Sequence, residues 1–228
     1  MRAVIMGGTS GIGLASAEQL TSDKLDVTVT GRDPVKLAEL EGRFAGAERL
    51  DGTDREAVAE FFKRMGPFEH LVLAFSPGPV GFGPVREISL DDFETAFSGK
   101  LFGYVHAIRE AQVTESITML SAASARAAVP GTVALAGVNG AIERIVSPLA
   151  AELAPVRVNA VSPGIIDTPW WSFLPDDQRQ AQFAAAAGSV PAGRIGTAAD
   201  VAGAVAYLIG ASLVTGTILP MDGGYTVA

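Results

Sequence analysis

Cysteine is absent from the 228 residues, which excludes disulfides, thiol nucleophiles and cysteine-based metal sites. Histidine occurs only as His70 and His106, too far apart to suggest a metal site, so none is expected. Positive charge is also scarce: 17 Lys and Arg stand against 25 Asp and Glu, a net charge of −8. A nucleic-acid groove or an anionic membrane surface needs clustered Lys and Arg, so neither partner is expected. No uninterrupted run of about 18 apolar residues is present, and the opening "MRAVIMGG" turns to glycine before a signal-peptide core could form. The expectation is a cytoplasmic protein without a membrane span. Hydrophobic residues make up 48% and charged residues 18%, the balance of a chain with a buried core, and the length suits a single domain over 1–228.

Short apolar runs alternate with amphipathic stretches throughout. Strands are expected at Arg2–Met6, Asp26–Thr30, Glu48–Leu50, His70–Phe75, Ser116–Leu120, Arg157–Val161 and Thr217–Leu219. Helices are expected at Ile12–Ser22, Pro34–Arg43, Asp54–Arg64, Leu90–Ala111, Thr132–Leu153 and Ala198–Ile209. This alternation implies a doubly wound parallel α/β sheet covered by helices on both faces. Thr53 and Ser89 suit helix N-caps, and Pro34 suits a first helical turn. One long irregular stretch, about 163–197, follows the sixth strand and holds a short helix around Asp176–Ala187. Ligands bind beyond the carboxyl ends of strands in open α/β sheets, so this stretch is expected to be a substrate lid.

The chain opens with a strand, a glycine-rich turn and a helix, "AVIMGGTSGIGLASAEQL". Glycines let the backbone approach a pyrophosphate, and free amides at the helix start attract its charge. Gly7, Thr9, Ser10, Gly11, Ile12 and Gly13 are therefore candidate cofactor contacts. The second strand ends "VTVTGRD". An acidic residue there would hold a ribose diol, and an arginine would accept a 2′-phosphate. Gly31 leaves room and Arg32 follows it directly, which favours NADP(H) over NAD(H). The plainer alternative has Arg32 in a solvated turn and Asp33 capping the helix that starts at Pro34.

Taken together, these stretches resemble the short-chain dehydrogenase/reductase family over essentially the whole chain. "LDGTD" matches the segment in which the family's Asp, here Asp51, contacts adenine. "APVRVNAVSPGIIDTP" is similar to the family's RVN-x-x-x-PG-x-x-x-T, which implies that Pro163 and Gly164 shape the turn. It also implies that Ile166 and Thr168 lie against the nicotinamide carboxamide and phosphates. "GRIGTAADVAGAVAYLIG" and the terminal "DGG" complete the pattern. The resemblance implies a Rossmann-type sheet of about seven strands. It also implies a homodimer or homotetramer, paired through the helices Leu90–Ala111 and Thr132–Leu153.

The family's chemistry rests on an Asn, a Ser and a Tyr-x-x-x-Lys pair, acting in acid–base catalysis beside hydride transfer. Here those slots hold Lys100, Ala122, Leu135 and Asn139. The site has lost one Lys and gained another on a neighbouring helix. Lys100 is a candidate for catalysis, with the alternative that its stem lies on apolar surface and its head reaches solvent. Asn139 can bond ribose hydroxyls but carries no charge. Of the two nearby serines, Ser121 has the better claim because it stands at the strand's end. Tyr104 shares a helix face with Lys100 and is expected to pack at a subunit contact. Trp170 and Trp171 open the lid, either covering the substrate or anchoring the loop. Arg126 reads as a surface loop charge. The leading reading is an NADPH-dependent reductase of a small carbonyl compound or activated alkene. The alternatives are a non-catalytic NADPH-binding sensor and a non-redox enzyme on the same fold.

Overall fold

The structure is a computed structural model and describes residues 1–227. Seven parallel strands form one sheet: β1 (Arg2–Met6), β2 (Asp26–Gly31), β3 (Gly46–Arg49), β4 (Phe68–Leu73), β5 (Val113–Leu120), β6 (Arg157–Pro163) and β9 (Ile218–Met221). Their spatial order is β3-β2-β1-β4-β5-β6-β9. The order reverses between β1 and β4, and a crevice opens there beyond the strand ends.

Alternation along each strand divides the core in two. Ala3, Ile5, Val27, Val29 and Val72 face α1 (Gly11–Ser22) and α8 (Ala198–Gly210). Val4, Met6, Leu71, Leu73, Ile117 and Met119 face α3 (Arg55–Met65), α5 (Gly103–Glu110) and α6 (Val133–Glu152). Each fully buried Ile, Leu or Phe contributes about 1.5–3 kcal/mol, so both faces hold the helices firmly.

Several boundaries depart from the sequence expectation. α2 is short, Pro34–Glu39, and Asp33 caps it by accepting from the Val35 and Lys36 amides. α3 is capped by Asp54, which accepts from Ala57, and not by Thr53; Thr53 instead donates to Asp51 through both its amide and its hydroxyl. The single helix expected over Leu90–Ala111 is three segments. α4 (Leu90–Ala96) runs into a π-helical turn at Phe97–Phe102, and α5 continues from Gly103. Gly99 and Gly103 sit in or beside that turn, where a Cβ would strike Pro77 at 2.6 Å and Phe75 at 2.7 Å.

α6 is long and apolar enough, by length and composition alone, to cross a membrane, though Asn139, Glu143 and Arg144 interrupt its apolar run. It nevertheless packs over the sheet, burying Ala134, Val138, Asn139, Ile142 and Val146 on one side. The lid is also more ordered than an irregular loop. β7 (Ile166–Asp167) pairs in parallel with β8 (Gly196–Thr197), a 3₁₀ turn spans Pro169–Phe173, and α7 covers Asp176–Ser189. Its far end is fixed by a capping box between Thr197 and Asp200. Arg194 grips the Asp200 carboxylate through two nitrogens, each at 2.8 Å.

Candidate active site

The crevice is a cavity of about 540 Å³ bounded by the β1 turn, the ends of β2 to β6, the π-helical turn, α6 and the lid. At its nucleotide end, Gly7 and Gly11 adopt φ of +86° and +52°, which L side chains rarely take. A Cβ on Gly13 would lie 2.1 Å from the Gly7 carbonyl oxygen, so only glycine lets the helix start so close to the turn. Ser10 makes no side-chain cap, which leaves the first amides of α1 open beside the cavity. Thr168 closes this end from the other side: a Cβ on Gly11 would meet the Thr168 Cβ at 3.4 Å. The cradle fits a dinucleotide's pyrophosphate.

Arg32 and Lys36 line the same cavity. The Arg32 side chain is exposed, with one long contact of 3.5 Å to the Ser76 carbonyl. Asp33 is occupied as the α2 cap. Asp51 also lines the cavity; partial burial raises its pKa, but the two Thr53 bonds and the Arg32 charge outweigh this and hold it below the usual carboxylate value. Pro163, Gly164 and Ile166 lie along the cavity wall with Thr168. Gly164 is pressed against the chain's end, where a Cβ would come within 2.8 Å of the Asp222 Cα.

At the other end, Lys100 reaches from the π-helical turn. Its Nζ donates to Asn139 Oδ1 at 2.7 Å and to the Ser121 carbonyl at 3.4 Å. No carboxylate pairs with it among the described residues. Burial without a counter-ion disfavours the ammonium and lowers its pKa to about 7. Asn139 is held on both sides, because its Nδ2 donates to Ser124 Oγ at 3.1 Å and to the Leu135 carbonyl at 3.0 Å. Lys100, Asn139 and Ser124 thus form one chain along the cavity wall, with Leu135 and Ala122 beside them.

Three side chains stand otherwise than the sequence suggested. Ser121 lines the cavity, but its hydroxyl is bonded to Glu143 (2.9 Å) and near the Val161 carbonyl (3.3 Å); it meets Lys100 only through its backbone. The hydroxyl joined to Asn139 is that of Ser124, brought round by a 3₁₀ turn at Ala123–Ala125. Tyr104 is not at a surface. It is fully buried, its ring 4.9 Å from Phe75 and its hydroxyl donating to the Leu120 carbonyl at 3.3 Å. Burial raises its pKa far above the ordinary phenol value, so it keeps its proton. Arg126 is no free loop charge: its Nε lies 3.3 Å from Glu143. Glu143 was missed in the sequence. It lies one helical turn beyond Asn139 and accepts from Ser121 and Ser162, the latter at 2.7 Å. Its spacing four residues after Asn139 was the available signal.

Trp170 and Trp171 line the cavity with Phe82 from the β4–α4 loop. Trp171 also donates its indole N–H to the Ile166 carbonyl at 3.0 Å, so it both faces the cavity and anchors the loop. Among the described residues no three His, Asp or Glu side chains gather into a metal-binding group.

A family model described as enoyl-(acyl carrier protein) reductase matches residues 7–226. The chain belongs to the short-chain dehydrogenase/reductase family. A short-chain dehydrogenase/reductase of Stachybotrys chlorohalonatus is 31% identical, over 97% of this chain and 95% of that protein. The 3-oxoacyl-[acyl-carrier-protein] reductase MabA of Mycobacterium tuberculosis is 32% identical, over 97% and 91% respectively. A crystal structure of a small-chain dehydrogenase in complex with NADPH is 32% identical with a TM-score of 0.86, covering 100% of this chain and 99% of that one. Members of this family bind a nicotinamide cofactor, and both sequence relatives are oxidoreductases.

Proposed function

We propose that the protein is an NADP(H)-dependent oxidoreductase that reduces a carbonyl or activated alkene of a small molecule, with Lys100 serving where the Tyr–Lys pair is missing. The observation that carries this reading is the 2.7 Å bond from Lys100 Nζ to Asn139 Oδ1 inside the dinucleotide cavity. It returns an ionisable amine to the place where Asn139 has none. When bound, the nicotinamide supplies the hydride.

The chain's own residues do the rest. The glycine turn and the open amides of α1 hold the pyrophosphate, and Ile166 and Thr168 face the carboxamide and phosphates. Arg32 and Lys36 take the 2′-phosphate, a choice supported by Asp33 being engaged as a helix cap. Asn139 and Lys100 bond the ribose hydroxyls. Ser124 receives a hydrogen bond from Asn139, which leaves its own O–H to polarise the substrate oxygen. Lys100 holds a proton at Nζ near neutral pH and delivers it to the reduced oxygen or carbon, then regains it from solvent. The exposed Phe102, Val105 and Val133 support pairing of two copies into a homodimer or tetramer. A cytoplasmic setting, where reduced dinucleotide is available, belongs to the same reading.

The test is substrate-dependent oxidation of NADPH across a carbonyl panel, after paired titration with NADPH and NADH. NADPH is expected to bind at least about tenfold more tightly than NADH; equal affinities remove the Arg32 assignment. Lys100→Met is expected to lower turnover about a hundredfold or more. Turnover in the parent falls as pH rises through about 7, because the acid form of Lys100 is lost; Lys100→Arg is expected to lose that inflection. Unchanged turnover in Lys100→Met overturns the site assignment and leaves the reductase reading standing. Dinucleotide binding with no turnover of any substrate moves the reading to a non-catalytic sensor.

A further inference from the structure

Part of the cavity wall is built of rings from two separate loops: Phe82, Trp170 and Trp171. Phe82, from the β4–α4 loop, lies 5.7 Å from Trp170 and 6.2 Å from Phe173 of the lid turn. Trp170 meets Trp171 edge-on at 4.9 Å and Phe173 at 5.6 Å. Trp171 is backed in turn by Phe183 of α7, at 5.8 Å. The bond from the Trp171 N–H to Ile166 fixes that indole's orientation, so its ring is a prepared surface and not a mobile side chain. Phe82, which lines the cavity, remains 41% exposed, an unusual cost for a ring that has neighbours to bury against. Val80, Val129 and Leu135 complete an apolar lining.

Charge is missing from this half of the cavity. Among the charged residues that line it, Arg32, Lys36 and Asp51 follow β2 or β3 at the nucleotide end, which leaves Lys100 alone here. Lys100 is held by two neutral acceptors and burial disfavours its ammonium form, so this half offers little fixed positive charge to a carboxylate or phosphate, and no acid waits for an amine. The helices that follow the two ring-bearing loops each begin with paired aspartates, Asp91–Asp92 and Asp176–Asp177. With a net charge of −8, the chain opposes approach of an acidic protein.

Resting on the reductase reading above, we propose that the substrate is an uncharged ketone or conjugated enone attached to a flat aromatic ring system, taken up as a free molecule and not as the thioester of an acidic carrier protein. The ring packs against the cavity face that Phe82, Trp170 and Trp171 form together, and its carbonyl points to Ser124 and Lys100. Offset or edge-on contact with several rings rewards a flat aromatic ligand over an alkyl chain of equal size.

The experiment uses the NADPH-loaded protein and three probes: 2-acetylnaphthalene, an aliphatic methyl ketone of equal carbon number, and an acetoacetyl thioester of an acyl carrier protein. Binding is read by calorimetry and by quenching of the two tryptophans, both of which lie in the lid; turnover is read as NADPH oxidation. The naphthyl ketone is expected to bind about tenfold or more tightly than the aliphatic one. Phe82→Leu and Trp170→Leu are expected to erase that difference without changing the Kd for NADPH. Equal binding of the two ketones, no binding of either, or faster turnover of the carrier thioester overturns the proposal. Ring-selective binding with no NADPH oxidation upholds this substrate class while the reductase reading fails. Oxidation without ring preference does the reverse.

Discussion

Ser124 lies two residues past the position where the family keeps its catalytic serine, and the hydrogen-bond direction decides what it can do. Asn139 Nδ2 donates to it, so the hydroxyl proton is left for another acceptor, and the Leu135 carbonyl at 3.5 Å is a weak competitor. Ser121, bonded to Glu143, lacks that freedom. Ser124→Ala is therefore expected to lower kcat by about ten- to a hundredfold with little change in NADPH affinity, whereas Ser121→Ala acts mainly on thermal stability. Steady-state kinetics beside dinucleotide titration separates the two. If Ser121→Ala carries the kinetic loss and Ser124→Ala does not, the assignment is reversed. Its place at the strand's end favoured Ser121, because a 3₁₀ turn at Ala123–Ala125 has no strong signature in a run of alanines and serines. Leu135 and Asn139 share one regular helix, so their positions could be counted, whereas Lys100, in the π-helical turn, was placed only by the family resemblance.

At the scale of elements, the π-helical turn is the feature that sequence periodicity hid. "AFSGKLFGY" satisfies a regular helical pattern, and nothing in propensity marks the wider turn. Its cause is tertiary: Pro77 and Phe75 crowd the helix from the neighbouring loop, and Gly99 and Gly103 admit them. Gly99→Ala would put a Cβ 2.6 Å from the rigid Pro77 ring, beside the residue that carries the active-site amine. The variant is expected to lose about 1–3 kcal/mol of stability and to shift Lys100 away from Asn139. Denaturant unfolding and the pH profile check the two parts; a variant that keeps both the midpoint and the inflection near pH 7 shows that the turn tolerates the methyl group. The lid shows the same limit of sequence reading. Its helix was visible as a pattern, while the two-residue pairing of β7 with β8 is too short to leave one.

At the scale of the whole molecule, the parallel sheet with helices on both faces followed from the alternation of apolar runs and amphipathic stretches, while the spatial order of the strands left no mark in it. Buried polar groups did not follow. His70, in the middle of the sheet, bonds Ser116 Oγ through Nδ1 at 2.9 Å, while its Nε2 has no hydrogen-bond partner among the described residues and lies 3.7 Å from Glu115. Burial lowers its pKa, as do Arg157 and the N-terminal amine, against the opposing pull of Glu115 and Glu69. The unfolded chain then takes up a proton below about pH 6.5 that the folded chain refuses. Stability is thus expected to fall as pH drops through that value. His70→Val leaves Ser116 without its partner, a loss present at every pH, but it removes this acid-side slope. Melting temperatures of the two proteins measured from pH 8 to 5 should converge; parallel curves would show that His70 is not the group responsible.

Under the proposed function, the single amine at the reaction end of the cavity acts on redox balance as well as on proton delivery. An oxidised nicotinamide carries a positive charge and a reduced one does not. Above about pH 7, Lys100 is neutral and has no quarrel with either form. Below it, the ammonium repels the oxidised ring and leaves the reduced one unaffected. Under the proposed function, acidification therefore raises the reduction potential of the bound couple relative to the free one and hastens release of spent cofactor. The ratio of Kd for NADP⁺ to that for NADPH should climb as pH falls from 8 to 6, and stay level in Lys100→Met. A level ratio in the parent protein would place the amine too far from the ring to matter. If the climb is found, losing the phenol and moving the one lysine to a neighbouring helix has given a cofactor pocket whose appetite for reduced dinucleotide follows the acidity around it.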